Sequence, residues 1–389
     1  MRKADFLPES SGELVETVDG ALAFVPQPLP PKIEWDDALV SVVSDAQASL
    51  GRLAGMGARF PHPERLIRMF LRREAEYSSR IERTYAGVRT LVLFDFIDEI
   101  EEKSPSAREV ENNFRLLQFV CDAIPRGPIT LALLRQMQAM LFDRVESPPK
   151  VVGDFRKLQN WIGMSNDIHE ARFVPAPPHR VRESLEALLM FMRAPATLPA
   201  IMRAAMTHYQ FECLHPFDDG NGRVGRALVL AQLMQDGSLP IPLLNPSAQL
   251  EQHRREYYDL LLDVSLRGKW KDWIIYLSRC VRLECVRSMD ILQDLDALRS
   301  RYMDQVQLAR HSALLAKVID HLFGDPAVTA KGLATVLKIT PQSALRVIDK
   351  LLKAQILCEV TGQQRNRVYL AEDIVDIFSR EHGNNKNDA

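Results

Sequence analysis

The sequence predicts a mainly α protein with a β-hairpin near its middle and a winged helix-turn-helix at its end. Apolar residues recur at helical spacing from Trp35 to about residue 300, and that spacing breaks once, between Val151 and Pro178. Beyond about residue 311 the rhythm changes to short helices followed by two short extended runs.

Each element follows in order. Residues 1–34 are expected to be irregular, because Phe24–Lys32 carries four prolines, which deny a helix its backbone donors; the stretch reads as an extended arm. Helices are predicted at 35–53, 63–82, 88–102, 105–122 and 130–143. Val151–Gly163 and Ala171–Pro178 hold β-branched and aromatic residues around a polar loop, which suggests a hairpin. Helices resume at 179–193, 199–213, 223–236, 248–267 and 270–300. In the tail, a helix at 312–323, the run Thr329–Leu337, a helix at 341–353 and the extended runs Ile356–Val360 and Asn366–Leu370 give the order of a winged helix-turn-helix. Four regions result: an arm (1–34), an N-terminal helical segment (35–125), a central body (126–300) and the winged module (311–380). Gly383–Ala389 are polar and expected to be disordered.

Composition limits the function classes. Across 389 residues, 49 Lys and Arg nearly cancel 51 Asp and Glu, so no global charge draws the chain to nucleic acid or membrane. Five scattered cysteines without a CxxC pair argue against a disulfide framework or a zinc site and for a reducing compartment. There is no signal-peptide pattern, and no run approaches the roughly 18 apolar residues of a membrane helix, so the expected location is the cytoplasm.

The chemistry concentrates in His215-Pro-Phe-Asp-Asp-Gly-Asn-Gly-Arg-Val-Gly-Arg226. Gly220-Asn221-Gly222 precede a helix opening at about Arg223, so several N–H groups and the helix dipole can converge on one anion. Arg223 and Arg226, three apart, can both fork onto phosphate oxygens, and Asp219 offers a hard oxygen for a magnesium ion shared with them. His215 can take a proton near neutral pH. A base, a metal ligand and an anion nest within twelve residues describe a nucleotide-transfer site.

This segment resembles the Fic signature HPFx(D/E)GNGRxxR, with every fixed position satisfied. The Pro-rich arm, Phe70–Ala75, Phe155–Gly163 and Phe173–Pro178 are also similar to bacterial Fic enzymes, over about residues 20 to 300. The resemblance implies a Fic fold with a β-hairpin flap, and a protein adenylyltransferase using ATP and Mg²⁺. His215 would deprotonate a Ser, Thr or Tyr hydroxyl of a target protein or of the enzyme itself. Asp219 would bind Mg²⁺, Gly220, Asn221, Gly222 and Arg223 the phosphate oxygens, Arg226 the γ-phosphate, and Phe217 would fix the loop. A branch of the family that phosphorylates its targets has lysine at the position of Gly222, so glycine favours AMP transfer.

Other segments gain meaning only beside that resemblance. The 151–174 hairpin would be the flap along which a target segment lies by β-addition. Tyr258 would approach adenine, with Ser265 where relatives carry asparagine. Ser78 and Glu82, on helical spacing alone a solvated face, resemble the inhibitory motif (S/T)xxxE(G/N) and would set a carboxylate on Arg226. Arg83 replaces the expected Gly or Asn, a change expected to shift the helix end or give Glu82 a competing partner. Residues 311–370 hold eight Lys and Arg against four Asp and Glu, with Arg346, Lys350 and Lys353 on one helix and Gln363–Arg367 on the wing. DNA binding through 341–370 and packing or homodimerisation both remain open for this module. Two other activities compete with AMP transfer: a DNA-binding regulator with a vestigial or nucleotide-sensing site, and AMP removal with Glu82 orienting water.

Overall fold

In the computed structural model, residues 1–60, 62–99, 104–307 and 312–380 are described. The far end of the helix expected at 88–102 and the tail Gly383–Ala389 lie outside these residues.

The arm is not irregular. β1 (Gly12–Glu16) and β2 (Leu22–Pro26) pair antiparallel, from Gly12 opposite Pro26 to Glu16 opposite Leu22. The prolines fall at and after the end of β2, while Asp19-Gly20 turns the chain with Gly20 at φ 75°. α1 (Asp37–Arg59) starts at Asp36, whose carboxylate accepts from the Leu39 N–H at 2.9 Å. α2 (Pro63–Ile81) follows, then α3 (Val88–Leu93), which tightens to a 3₁₀ turn at Phe94–Glu99 where a continuous helix was expected. α4 (Pro105–Ala123) and α5 (Leu131–Leu141) come next.

α2 is a central helix rather than a half-solvated one. Every residue from Met69 to Ser79 is buried, including Arg72, Arg73, Glu74 and Glu76. Partners from distant chain segments make this tolerable: Arg73 pairs with Glu284 at 3.1 Å, and Glu74 accepts from the Ser247 hydroxyl and N–H.

After α6 (Pro178–Arg193), α7 (Ala200–Leu214) and α8 (Asn221–Gln235) pack together, both buried along almost their whole length. The helix expected at 248–267 is two, α9 (Ser247–Gln252) and α10 (Arg254–Arg267), because His253 leaves helical dihedrals at ψ 37°. α11 (Trp270–Gln307) runs 38 residues along α1.

The tail contains α12 (Ser312–Leu322), β3 (Ala327–Thr329), α13 (Ala330–Leu337), α14 (Pro341–Lys353), β4 (Cys358–Glu359), β5 (Val368–Leu370) and α15 (Glu372–Ser379). The strands form an antiparallel sheet in the order β3-β5-β4. This is the expected element order with one extra strand and one extra helix. The tail grips α2 and its neighbours. Phe378 meets Phe70 edge-on at 5.1 Å, Phe323 lies 6.3 Å from Phe60, Arg68 pairs with Asp325 at 3.0 Å and Arg89 with Glu372 at 2.6 Å. One apolar core runs from Phe24 to Phe378. Among the described residues no helix is long and apolar enough to cross a membrane.

Candidate active site

The α7–α8 connection builds the site. α7 ends at His215, which takes the left-handed conformation, φ 46°, and its N–H donates to Phe211 O at 3.0 Å. Pro216 prevents the helix from continuing. Gly220, φ 87°, caps α8; a Cβ there would stand 2.9 Å from Leu141. The helix opens at Asn221, two residues earlier than expected, so the N–H groups of its first turn lack intrahelical acceptors.

The loop between is over-determined. Asn221 Oδ1 accepts from the Phe217 N–H at 2.8 Å and its Nδ2 donates to Phe217 O at 2.9 Å. That side chain is committed to the loop, so a phosphate can meet only the backbone of Asn221. Phe217 is fully buried and stacks on Phe155 at 5.4 Å. Sequence reasoning missed two supports. Arg156, 2% exposed, donates through Nε to His215 O at 2.8 Å and through its other nitrogens to Leu158, Ala176 and Leu214 carbonyls. Asn160 donates to Phe217 O at 3.1 Å. Both sit in the expected flap, within the stretch noted only for its resemblance. That flap is less regular than a hairpin. Its arms meet in one bridge, Ile162 with Phe173, where each N–H donates to the other's carbonyl at 2.8 and 3.0 Å. β2 supports the second arm, since Phe24 N–H donates to Val174 O at 2.9 Å.

His215 Nδ1 lies 3.4 Å from Glu212 O. A carbonyl can only accept, so Nδ1 carries the proton and the neutral ring keeps Nε2 as a free acceptor. Burial, with the nearby Arg156 charge, lowers the His215 pKa to about 4, against the opposing pull of the Glu212 carbonyl and Glu82. The ring is therefore neutral at physiological pH.

A cavity of about 540 Å³ brings together Glu82, His215, Gly222, Arg226 and Tyr258. Asp219, Gly220, Asn221, Arg223 and Ser78 do not line it. The two arginines part company: Arg223 goes to Glu109, 3.9 Å away, and over the Phe142 ring, while Arg226 turns into the cavity. Asp219 is exposed, with Oδ1 accepting from the Gly220 N–H at 2.5 Å. No group of three or more acidic, Cys or His ligands occurs among the described residues. One exposed carboxylate beside a helix N-terminus suits a magnesium ion that takes its other ligands from phosphates and water.

Arg226 is held from two sides. Its Nε donates to Ser78 Oγ at 3.0 Å, and Nη2 to Ser78 O and Glu82 Oε1, both at 2.8 Å. The arginine side chain is 1% exposed and that of Glu82 34%, so the glutamate is the partner with room to leave. Burial alone would raise the Glu82 pKa, but Arg226, helped by Arg223 and Arg254, brings it below the usual value.

The α2 terminus explains the motif's sixth position. Arg83 N–H donates to Arg80 O at 2.9 Å and Thr84 N–H to Ser79 O at 3.0 Å, a Schellman closure. Arg83 occupies its left-handed position at φ 65°, where Gly or Asn is normal. Neither expected consequence of Arg83 occurs: α2 ends at Ile81 and Glu82 still reaches Arg226. The cost is backbone strain of about 1–2 kcal/mol.

On the far wall, Tyr258 packs against Tyr257 at 4.9 Å, with Arg254 over its ring at 5.7 Å. Ser265 is bonded to Tyr209 at 2.8 Å, and Tyr209 to Ser11 at 2.8 Å, so this hydroxyl already has a partner.

Residues 128–233 match the model of the Fic/DOC family and 40–120 that of the Fic/DOC family N-terminal region. A probable protein adenylyltransferase of Aquifex aeolicus is 27% identical over 164 residues, 42% of this chain and 48% of that protein. Protein adenylyltransferase fic-1 of Caenorhabditis elegans is 30% identical over 139 residues, 35% of this chain and 26% of that protein. The chain thus spans less than half the length of these relatives. Among solved structures, a Fic family protein from Desulfovibrio desulfuricans superposes with TM-score 0.57 at 16% identity, covering 88% of this chain and 98% of that one. Fic-1 from C. elegans gives 0.52 at 20% identity, covering 66% and 74%. At these identities the structures speak to the fold.

Proposed function

We propose that this chain, which belongs to the Fic/DOC family through residues 40–120 and 128–233, transfers AMP from ATP to a protein hydroxyl and is held back by Glu82. The supporting observation is a single cavity that joins a neutral His215 to an Arg226 occupied by Glu82. The hydroxyl of a Ser, Thr or Tyr, in a target or in the enzyme itself, attacks the α-phosphorus. A P–O bond to the protein forms, the bond to the β-phosphate oxygen breaks, and pyrophosphate leaves. His215 Nε2 takes the hydroxyl proton. The N–H groups opening α8 neutralise phosphate oxygens, Arg226 meets the γ-phosphate once Glu82 withdraws, and Tyr258 faces the base. Asp219 would hold Mg²⁺, which supplies charge neutralisation along the phosphates. The target segment would lie along 151–174, and the work would take place in the cytoplasm. Incubation with α-labelled ATP should label protein; label only from γ-labelled ATP would mean phosphorylation and defeat the proposal.

Arg83 refines it. Arg83→Gly removes left-handed strain from the cap that carries Glu82, so the closed state gains about 1 kcal/mol. Basal labelling should fall about fivefold and the melting temperature rise. Equal basal rates would show that this cap does not govern Glu82.

A second partner is duplex DNA at the tail. Gln342, Arg346 and Lys353 of α14 and Gln364–Arg367 of the wing are exposed. Binding should weaken steeply with salt and with Arg346→Ala or Arg365→Ala, since each phosphate contact releases counterions. Absent binding, with dimers lost on removing 311–389, would favour the packing role instead.

A further inference from the structure

α8 carries two glycines one turn apart, and each makes room for a carboxyl group. A Cβ at Gly222 would stand 2.2 Å from Glu82 Oε1 and 2.8 Å from Arg226 Nη1. A Cβ at Gly225 would stand 2.1 Å from Glu212 Oε1. Residues i and i+3 share a helix face, so carboxyls from α2's end and from α7 fill successive notches beside Arg226. Glu212 lines the same cavity, yet Oε1 is buried without a hydrogen-bond partner. An orphaned buried carboxyl oxygen costs stability and calls for a reason.

We infer that Glu212 is a positioning residue for Arg226: when Glu82 withdraws, the Glu212 carboxylate becomes the guanidinium's partner and holds it toward the nucleotide phosphates. This rests on the proposed function. With Glu82 gone, Arg226 retains only neutral Ser78 acceptors, and a buried cation without an anion is strongly disfavoured. Glu212 acts on it from within the cavity, whereas Glu74, which also feels Arg226, accepts hydrogen bonds from Ser247 and does not line the cavity. The guanidinium has five donors, enough for Ser78, one carboxylate and a phosphate together. Proton linkage fits. Burial raises the Glu212 pKa to about 8, against Arg226 and with the like charge of Glu82 adding to the rise. The groups facing it are Arg226 from α8, Glu82 from the end of α2, and Tyr257 from α10. Removing Glu82 removes that repulsion while burial still raises the pKa, so the ionised fraction of Glu212 grows and increases further as the pH rises, and the carboxylate takes the vacated role.

The test is direct ATP binding by calorimetry, which needs no transfer activity and so separates failure here from failure of AMP transfer. Glu82→Gly should bind ATP about tenfold more tightly than Glu82→Gly with Glu212→Gln, the size expected for one charged hydrogen bond. Affinity of the single variant should also tighten as pH rises from 6 to 9, by more than ATP's own ionisation accounts for; the double variant supplies that baseline. Glu82→Gly with Gly225→Ala, whose new methyl displaces the carboxyl, should behave like the double variant. Equal affinities and parallel pH profiles would overturn the inference, as would a lowered melting temperature with unchanged binding.

Discussion

The proposed AMP transfer should fall by about 10²–10⁴ in His215→Ala, the usual cost of removing a general base. The ring can serve as the proton acceptor because its Nδ1–H is tied to the Glu212 carbonyl, which leaves Nε2 free to accept. Alanine would also have to hold φ 46°, so His215→Asn is the better companion, since asparagine tolerates that conformation. Both should bind ATP normally and label nothing above background. The same geometry sets the pH response. A base with pKa about 4 is neutral above that value, so kcat/KM should be flat around neutrality and drop as the pH approaches 4. Undiminished labelling by either variant would remove His215 from the chemistry.

Glu82→Gly should raise the proposed self-labelling about 10- to 100-fold, the worth of one hydrogen-bonded charge pair converted to a rate. The gain depends on what the arginine then does. Glu82→Gly with Arg226→Ala should fall back to low activity, because the freed guanidinium is the whole benefit of the first change. Two outcomes would count against inhibition. Unchanged labelling would mean that the 2.8 Å pair does not limit the enzyme. Unchanged AMP addition with slower AMP removal would assign Glu82 to a hydrolytic step.

The 215–226 loop was legible because twelve contiguous residues hold both its chemistry and its glycine geometry. What surrounds it was not. Ser78 and Glu82 read as a solvated face from spacing alone, since the partners that bury α2, such as Glu284 and Ser247, lie far away in sequence. Arg223 and Arg226 looked equivalent, and only the packing of α4 and α5 against α8 separates them. Arg156 and Asn160 act through carbonyls, which no motif displays. The N-terminal hairpin did have a signal, Asp19-Gly20 between β-prone runs, but the prolines beyond it dominated the reading. Nothing in the sequence around His253 marks the break between α9 and α10.

α2 is shared: Arg226 holds its end, while the C-terminal helix and loop hold its other side through Phe378 and Asp325. Two sites that bias one rigid element are thermodynamically linked, and such linkage runs equally in both directions. A ligand of the tail that favours a displaced α2 must raise ATP affinity by the same factor by which ATP raises its own. Titrating DNA with and without ATP, and ATP with and without DNA, therefore closes a cycle whose two coupling factors have to agree. A factor of one would mean that the long contact between tail and α2 carries load without carrying information.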